Sequence, residues 1–548
     1  MYLLSAELVV HSWPVAFGRS IPKSLFSGHW STPRSPAFIR PTNRSIRRRS
    51  TMTATDSQDR ARALWLENGL PPEMLSHLNL SKNPNSAIDS SFKIASAAQT
   101  SIGLSGLAAA YFHSLRTGVT QDVTVDARHA ILDISSEFWY TVDGELPKPD
   151  SIWDPLAGIY KTKDDSYVRL HTNFPHHRDG LLKILRCDAT REAVQKELLK
   201  WNAEEFETQA ALARMCASAF RSFEEWDKHP QAIALLNTPP VSLVKIGDAP
   251  RRVVAGEVNS PLENIRVLDL CRVLSGPICG RTLAAHGADV LLVTSPQLPA
   301  LPLLDVDTSR GKRTTQLDLT LSSDRDTLAT LVKDADVFLQ AYRPGGLREK
   351  GFGPQDLAKV RPGIVCANLT AYGWEGPWKD RRGFDSLVQT ATGFNWAEAE
   401  AHAAFSGKLF EGRPVPRPFP LQALDHVGGY LLAFGINAAL AKTITEGGSW
   451  EVRVSLAAVG QWLRSMGQLS PQAAFGDGKP LPPRTIPQHP EVAALVVTSR
   501  EALGDKRDAS EALRAMTGIS QSAILSKTPV REVDAPMGLD RNDPVWLQ

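Results

Sequence analysis

Ile265-Arg266-Val267-Leu268-Asp269-Leu270 runs straight into Cys271-Arg272-Val273-Leu274-Ser275-Gly276-Pro277. The first six residues form a short, mostly apolar run of the length expected for a strand buried on both faces. Ser275-Gly276-Pro277 opens a helix, its proline in the first turn, where a missing N–H costs nothing. Gly287 closes that helix. Further strands are predicted at 290–293, 315–319, 337–342 and 364–369, with helical stretches between several of them. This alternation predicts an α/β fold with a doubly wound parallel sheet, whose ligands lie beyond the carboxyl ends of the strands.

The turn 271–277 lacks GxGxxG, which argues against a dinucleotide oxidoreductase. Gly476-Asp477-Gly478-Lys479 is no P-loop, since the first glycine and the helix are missing. The strand ends are nevertheless rich in glycines and cations: Gly311-Lys312-Arg313, Tyr342-Arg343-Pro344-Gly345-Gly346 with Arg348 and Lys350, and Arg381-Arg382-Gly383. Several such clusters on one sheet point to a polyanionic nucleotide.

Farther on, Pro420-Leu421-Gln422-Ala423-Leu424-Asp425-His426-Val427-Gly428-Gly429-Tyr430 leads into an apolar helix running to Ala441. Val427, Leu431, Phe434 and Ala438 recur at helical spacing and would bury one face. Asp425 falls at the N-terminal end, where free N–H groups and the helix dipole favour negative charge. By place alone it reads as an N-cap.

At 548 residues the chain predicts two or three domains. A hydrophobic share of 42% and a charged share of 22% are those of a globular protein, and a net charge of +2 gives no reason to expect nucleic acid. No apolar run reaches the roughly 20 residues of a membrane span. The five cysteines contain no CxxC pair and suggest no disulfide framework, so the expected location is cytoplasmic or mitochondrial rather than secreted. Residues 1–50 set eight Arg and Lys against the single acid Glu7, amid Ser and Pro. This leader is read as disordered or as a transit peptide. His171, His176 and His177 have no acid or Cys at ligand spacing, so they are read as exposed or capping residues and no metal is expected.

A helix is predicted over 92–115, ended by Arg116-Thr117-Gly118 and followed by the alternating strand 122–126. Helix, glycine turn and strand recur in the same order at 427–441, 445–448 and 451–455, an internal duplication signal. Registered on the two strands, Asp425 corresponds to Ser96, so only the second copy keeps the carboxylate. The segments are therefore a leader at 1–50, a partial degenerate repeat with a small domain at 51–247, a linker at 248–262, the nucleotide-fold domain at 263–460, and a C-terminal segment at 461–548 packing back on the core.

Taken together, the 267–277 run, Gly287-Ala288-Asp289-Val290, Gly311-Lys312-Arg313 with Leu317-Asp318-Leu319, Tyr342-Arg343-Pro344-Gly345, Gly383-Phe384-Asp385 with Gln389, and Leu424-Asp425 with Gly428-Gly429 resemble the family III CoA-transferases. That is the formyl-CoA, L-carnitine and bile-acid CoA-transferase type, also called CaiB/BaiF. The likeness covers about 264–456 closely, and the first half resembles the family's later segments, including its small α+β domain. It implies a Rossmann-like CoA-binding domain and no permanently bound cofactor, with acyl-CoA and a carboxylic acid as substrates. It also implies a homodimer or an intrachain pseudo-dimer.

The resemblance makes Asp425 the nucleophile of a covalent aspartyl-CoA thioester mechanism, with the N–H groups beside Gly428 and Gly429 as candidate oxyanion donors. It carries CoA contacts to Leu274, Ser275, Leu317, Asp318, Ala341, Tyr342, Arg343 and Arg382. Ala341 stands where the family usually has Asn. Glu349 stands where some members have Arg, which shifts the phosphate role to Arg348 or Lys350. Asp385 and His426 are the candidate supporting groups. Two other readings stay open, a 2-methylacyl-CoA racemase-like enzyme and a non-catalytic CoA-binding or scaffold protein. The racemase base would precede Asp385, where Phe384 cannot move a proton.

Overall fold

The computed structural model describes residues 56–148, 153–253, 257–408, 410–502, 504–506, 513–530 and 533–547. The leader read at 1–50 lies outside them, as do 254–256 of the predicted linker.

The sheet predicted from 265–270 forms with seven strands. Six are parallel: Arg266–Leu270, Asp289–Thr294, Arg313–Gln316, Val337–Gln340, Val365–Thr370 and Ser449–Ser455. Numbered in chain order they lie as 3-2-1-4-5-6, so the chain reverses direction across the sheet between the first and fourth strands. That reversal leaves a crevice beyond their carboxyl ends. The seventh strand, Val241–Gly247, comes from the first half of the chain and adds antiparallel to Ser449–Ser455. The stretch 248–262 therefore does not separate independent bodies, and Ala54–Gln548 forms one unit.

The predicted apolar helix is Ala423–Thr445, longer at both ends than its periodicity marked. It is buried on all sides rather than on one face. The reason is its position: the helices Ile94–Thr117 and Ser275–Ala285 and the strands 365–370 and 449–455 all pack around it. A helix apolar all round belongs in a core or a membrane. By length and composition this one could cross a bilayer, contrary to the expectation from apolar runs, yet 94% of its most apolar window is buried within the protein. Small residues permit the close packing. A Cβ on Gly429 would stand 2.4 Å from the Ser275 carbonyl oxygen, and one on Gly435 would stand 2.3 Å from Val452 Cγ1.

The helix Ile94–Thr117 ends at Gly118 with φ 74°, a conformation glycine adopts without strain. The strand Val123–Val125 follows, and it pairs with Leu78–Leu80 and with Ala523–Leu525 from the C-terminal segment. That segment also pairs Ala515–Ile519 with Thr141–Val142. Between them a small domain has its own sheet of Gly158–Lys161, Tyr167–Leu170 and Ala217–Ala219. The helices Pro175–Leu185, Arg191–Leu198 and Ala203–Leu212 close its core around Tyr160, Val168, Leu181, Leu198 and Phe206.

Candidate active site

The crevice at the strand reversal holds a cavity of about 280 Å³. Its floor is built by the two loops that follow the first and fourth parallel strands, Arg272–Gly276 and Ala341–Pro344, joined by Arg381–Phe384 and by Asp425. Val273 in the first loop has φ 77°, a conformation that strains a β-branched residue and is found where function demands it. A second cavity of about 720 Å³ adjoins the first through Leu298, Tyr342, Arg343 and Pro344, and runs on past Leu317–Thr320 to Glu349 and Lys350.

Asp425 is the third residue of its helix, and Gln422 holds the N-cap place. The N-cap reading is thereby corrected. Among the described residues the Asp425 carboxylate has no hydrogen-bond partner, although the residue is only 8% exposed and lines the cavity. Burial pushes its pKa well above the usual carboxylate range, and the charges of Asp385 and Glu137 push it further. An unpaired carboxylate in such surroundings is costly to keep ionised, which marks it as a functional candidate.

Asp385, first residue of the helix Asp385–Ala391, sets the position of Asp425. Its Oδ2 accepts the Asp425 N–H at 2.9 Å, and its Oδ1 accepts from the Gln389 side chain. Gln389 Oε1 in turn accepts the Phe419 N–H and the Asn395 amide, both at 3.1 Å. Burial lifts the Asp385 pKa to about 6 against the pull of these hydrogen bonds. Asp385 is thus both a buried acid beside Asp425 and the acceptor that tethers the helix entry.

His426 is turned elsewhere. One helical step is about 100°, so its ring faces the first half of the chain, and its Nε2 lies 3.0 Å from Glu137 Oε2, both side chains fully buried. It cannot serve as a base across the cavity from Asp425. Gly428 and Gly429 also take a different role from the one expected. Helical residues beyond the first four spend their N–H groups on carbonyls four residues back, so these two are not free oxyanion donors. Their lack of a side chain instead admits Ser275 and the start of its helix.

The candidate CoA contacts divide between the cavities. Leu274, Ser275, Ala341 and Arg382 line the one with Asp425, Leu317 and Asp318 line the other, and Tyr342 and Arg343 line both. Lys350 borders the larger cavity, whereas Arg348 borders neither and lies with its stem over Gly353. Lys312 and Arg313 are also corrected. Lys312 is buried against Asp269 at 2.8 Å and the Pro277 carbonyl, and Arg313 pairs with Asp289 at 2.9 Å. Arg313 opens its strand and Lys312 precedes it, so both leave the backbone at the strand's amino end, away from the crevice. Arg343 follows its strand, and its guanidinium makes no hydrogen bond or ion pair among the described residues. Arg343→Ala is expected to weaken CoA binding on the order of 10-fold while sparing pantetheine, as read by calorimetry. Equal weakening of both would place Arg343 elsewhere.

Sequence reasoning missed the wall contributed by the small domain. Phe174, His176 and His177 line the Asp425 cavity; His176 is exposed as read, whereas His171 and His177 are buried, which corrects the reading for those two. His177 is buried and its Nε2 accepts from Arg382 Nη1 at 3.0 Å. Arginine only donates, so the proton sits on Nδ1, and burial with the neighbouring cations pulls the pKa to about 3. His171 is buried flat against Phe384, with ring centroids 3.7 Å apart. Adjacent histidines beside Phe and Pro were the available signal, but nothing local says which surface they cover.

Ser96 is the third residue of its own helix, as Asp425 is of its helix, and its hydroxyl donates to Asn85 Oδ1 at 2.9 Å. Ser96→Ala is expected to cost about 1 kcal/mol of stability and to leave the activity at Asp425 unchanged. A large loss of rate in a folded variant would assign a catalytic role to Ser96.

A doubly wound sheet with a crevice at its strand reversal, entered by an unpaired carboxylate at the head of a core helix, defines an α/β domain built for a nucleotide-bearing ligand and nucleophilic chemistry. Residues 262–494 match the model of CoA-transferase family III. The chain is 33% identical over 237 residues to the probable fatty acyl-CoA transferase Rv3272 of Mycobacterium tuberculosis, covering 40% of this chain and 57% of that one. It is 28% identical over 337 residues to the acetyl-coenzyme A transferase nodX of Hypoxylon pulicicidum, covering 57% and 55%. A crystal structure of the hypothetical protein Rv3272 aligns with 32% identity and a TM-score of 0.33, covering 38% of this chain and 58% of the other. The chain thus spans little more than half the length of these two curated relatives.

Proposed function

We propose that the chain is a CoA-transferase that moves CoA from an acyl-CoA to a carboxylic acid through a covalent intermediate on Asp425. The observation that carries this reading is the Asp425 carboxylate, unpaired and buried, opening into a cavity that adjoins the groove beyond the parallel strands. A carboxylate is a weak nucleophile in water and a stronger one when desolvated. Each exchange replaces one activated acyl group with another, so little driving force is needed.

Asp425 Oδ attacks the thioester carbonyl and expels the CoA thiolate, leaving a mixed anhydride. The thiolate attacks the Asp425 carbonyl of that anhydride, releasing the donor acid and leaving an aspartyl-CoA thioester. The acceptor carboxylate attacks this thioester and again expels the thiolate. The thiolate then takes the acceptor's acyl carbon and frees Asp425. CoA lies along the larger cavity, with Arg343 and Lys350 toward its phosphates and its thiol at the loops 272–276 and 341–344. The small domain closes the acceptor side through Phe174 and His177. We read the helices Ile94–Thr117 and Ala423–Thr445, packed together with only one acid retained, as an intrachain pseudo-dimer with a single working site. Racemisation would need a base opposite Asp425, and the His426–Glu137 contact takes His426 out of that role.

Incubation with a panel of acyl-CoAs, followed by borohydride or hydroxylamine and intact-mass analysis, tests the proposal. An adduct on the Asp425 peptide is expected. Turnover that resists both reagents while the α-proton exchanges with deuterated water would overturn it.

A further inference from the structure

The first half of the chain places an acid behind Asp425 that the reaction does not consume. Glu137 lies in the short turn Ser136–Phe138, fully out of water. Its neighbour Ser136 anchors that turn, donating to Asp307 Oδ2 at 2.7 Å and accepting from Arg281 Nη1 at 2.9 Å. Glu137 takes no part in those contacts. Its Oε2 meets His426 Nε2 at 3.0 Å, and its Oε1 is buried with no partner among the described residues. The head of the core helix is thus clamped from both sides. Asp385 takes the Asp425 N–H from the catalytic half, and Glu137 takes the His426 ring from the first half.

The hydrogen bonds decide what charge this pair carries. His426 Nδ1 is buried with no acceptor among the described residues. A proton there, in the imidazolium or in the other neutral tautomer, would be a buried N–H with nothing to receive it. The proton is therefore on Nε2, donated to the Glu137 carboxylate, and the ring is neutral. Asp385 and Asp307 would each favour an imidazolium. Asp307, however, is already matched by Arg281 at 2.6 Å and Arg310 at 2.9 Å, and Asp385 spends both oxygens on N–H donors. The pair is left with a net negative charge. Asp133 and Tyr430 turn to Arg281, and Arg169 acts on Asp385. Arg272, Arg343, Lys379, Arg381, Arg382 and His176 line the other walls of the cavity, and none of them pairs with the Asp425 carboxylate. The Glu137 charge therefore acts on Asp425, together with burial and Asp385.

We propose that Glu137 is a positioning residue of the Asp425 site, which turns His426 out of the cavity and, as a neighbouring anion, sets the acid limit of activity. This rests on the nucleophile reading of Asp425 and adds its control by pH. A carboxylate beside another anion ionises later and is the stronger base once ionised. Activity is lost as pH falls through its midpoint.

The carboxylic-acid C=O stretch of Asp425, isolated as the infrared difference between each protein and its Asp425→Asn counterpart, gives that midpoint without substrate. The acid limb of the turnover profile is expected to follow it. Glu137→Gln keeps the shape and an acceptor for His426, and should lower both by about one pH unit, a tenfold change in proton affinity. Glu137→Asp keeps the charge and should stay closer to wild type. His426→Gln keeps a neutral donor and should leave the infrared midpoint in place. An unmoved midpoint in Glu137→Gln overturns the proposal even where the rate falls, because a merely structural contact would do that. A raised midpoint in His426→Gln also overturns it, since the pair would then be an ion pair without net charge. So does a wild-type midpoint in the ordinary carboxylate range, which requires no change at Glu137. A midpoint that Glu137→Gln lowers, with no acyl-CoA adduct at Asp425, would count against the transferase reading and leave the role of Glu137 standing.

Discussion

Asp425→Asn is expected to lower turnover roughly 10⁴- to 10⁶-fold with the fold and CoA binding intact. The amide is nearly isosteric with the carboxylate, but it cannot form the anhydride. An N-capping role would predict little change, since asparagine caps as well as aspartate. The structure adds an expectation about stability. The folded-state pKa of Asp425 is raised above its unfolded value, by burial first and then by Asp385 and Glu137. Below about pH 4 both states hold the proton and there is no penalty. As pH rises from there toward the folded pKa, the unfolded chain ionises first and the wild type loses stability. Asn carries no such charge, so the variant's melting temperature should exceed that of the wild type by a margin that grows between acid and neutral pH. A variant with near-native turnover, or a margin that shrinks as pH rises, would remove Asp425 from the reaction or its carboxylate from the desolvated site.

Arg281→Met is expected to destabilise the protein by roughly 3–5 kcal/mol, read as a shift in the denaturant midpoint. Arg281 pairs with Asp307 at 2.6 Å and Asp133 at 3.3 Å, and donates to Ser136 Oγ at 2.9 Å. Arg310 meets Asp307 at 2.9 Å and donates to the Ile519 carbonyl, while Asp133 accepts from Ser522. All four charged side chains are buried, and the cluster joins the first half, the nucleotide-fold domain and the C-terminal segment. Two cations balance two carboxylates. Removing one cation strands a negative charge out of water. Arg281→Met combined with Asp133→Asn restores the balance and should cost less than Arg281→Met alone. A single variant within about 1 kcal/mol of wild type would show that the cluster does not weld these segments together.

The sequence by itself determined what depends on local period and turn chemistry. The run 265–277 specified strand, turn and helix, and the predicted strands fell within three residues of the observed ones at either end, because a buried strand is a contiguous apolar run bounded by glycines and polar residues. The helices that carry Asp425 and Ser96 were legible for the same reason, and each residue holds the third place in a long apolar helix followed by a glycine turn and a strand. Side-chain direction was only partly legible. Asp425 and His426 adjoin in sequence, yet one faces the cavity and the other Glu137, and only tertiary packing fixes which face is which.

The fates of the cations were likewise decided by the tertiary structure. Lys312 and Arg343 both stand near a glycine at a strand end. Lys312 is held by the buried Asp269 of the first parallel strand, whereas Arg343 lines the crevice with no counter-ion among the described residues. The same holds for the small domain, where Phe174 and His177 reach the cavity only because that domain closes over the helix Asp385–Ala391 and the loops before it, which come much later in the chain. No local pattern encodes such a contact, since its free energy comes from burying one surface against another and not from any preference of the residues themselves.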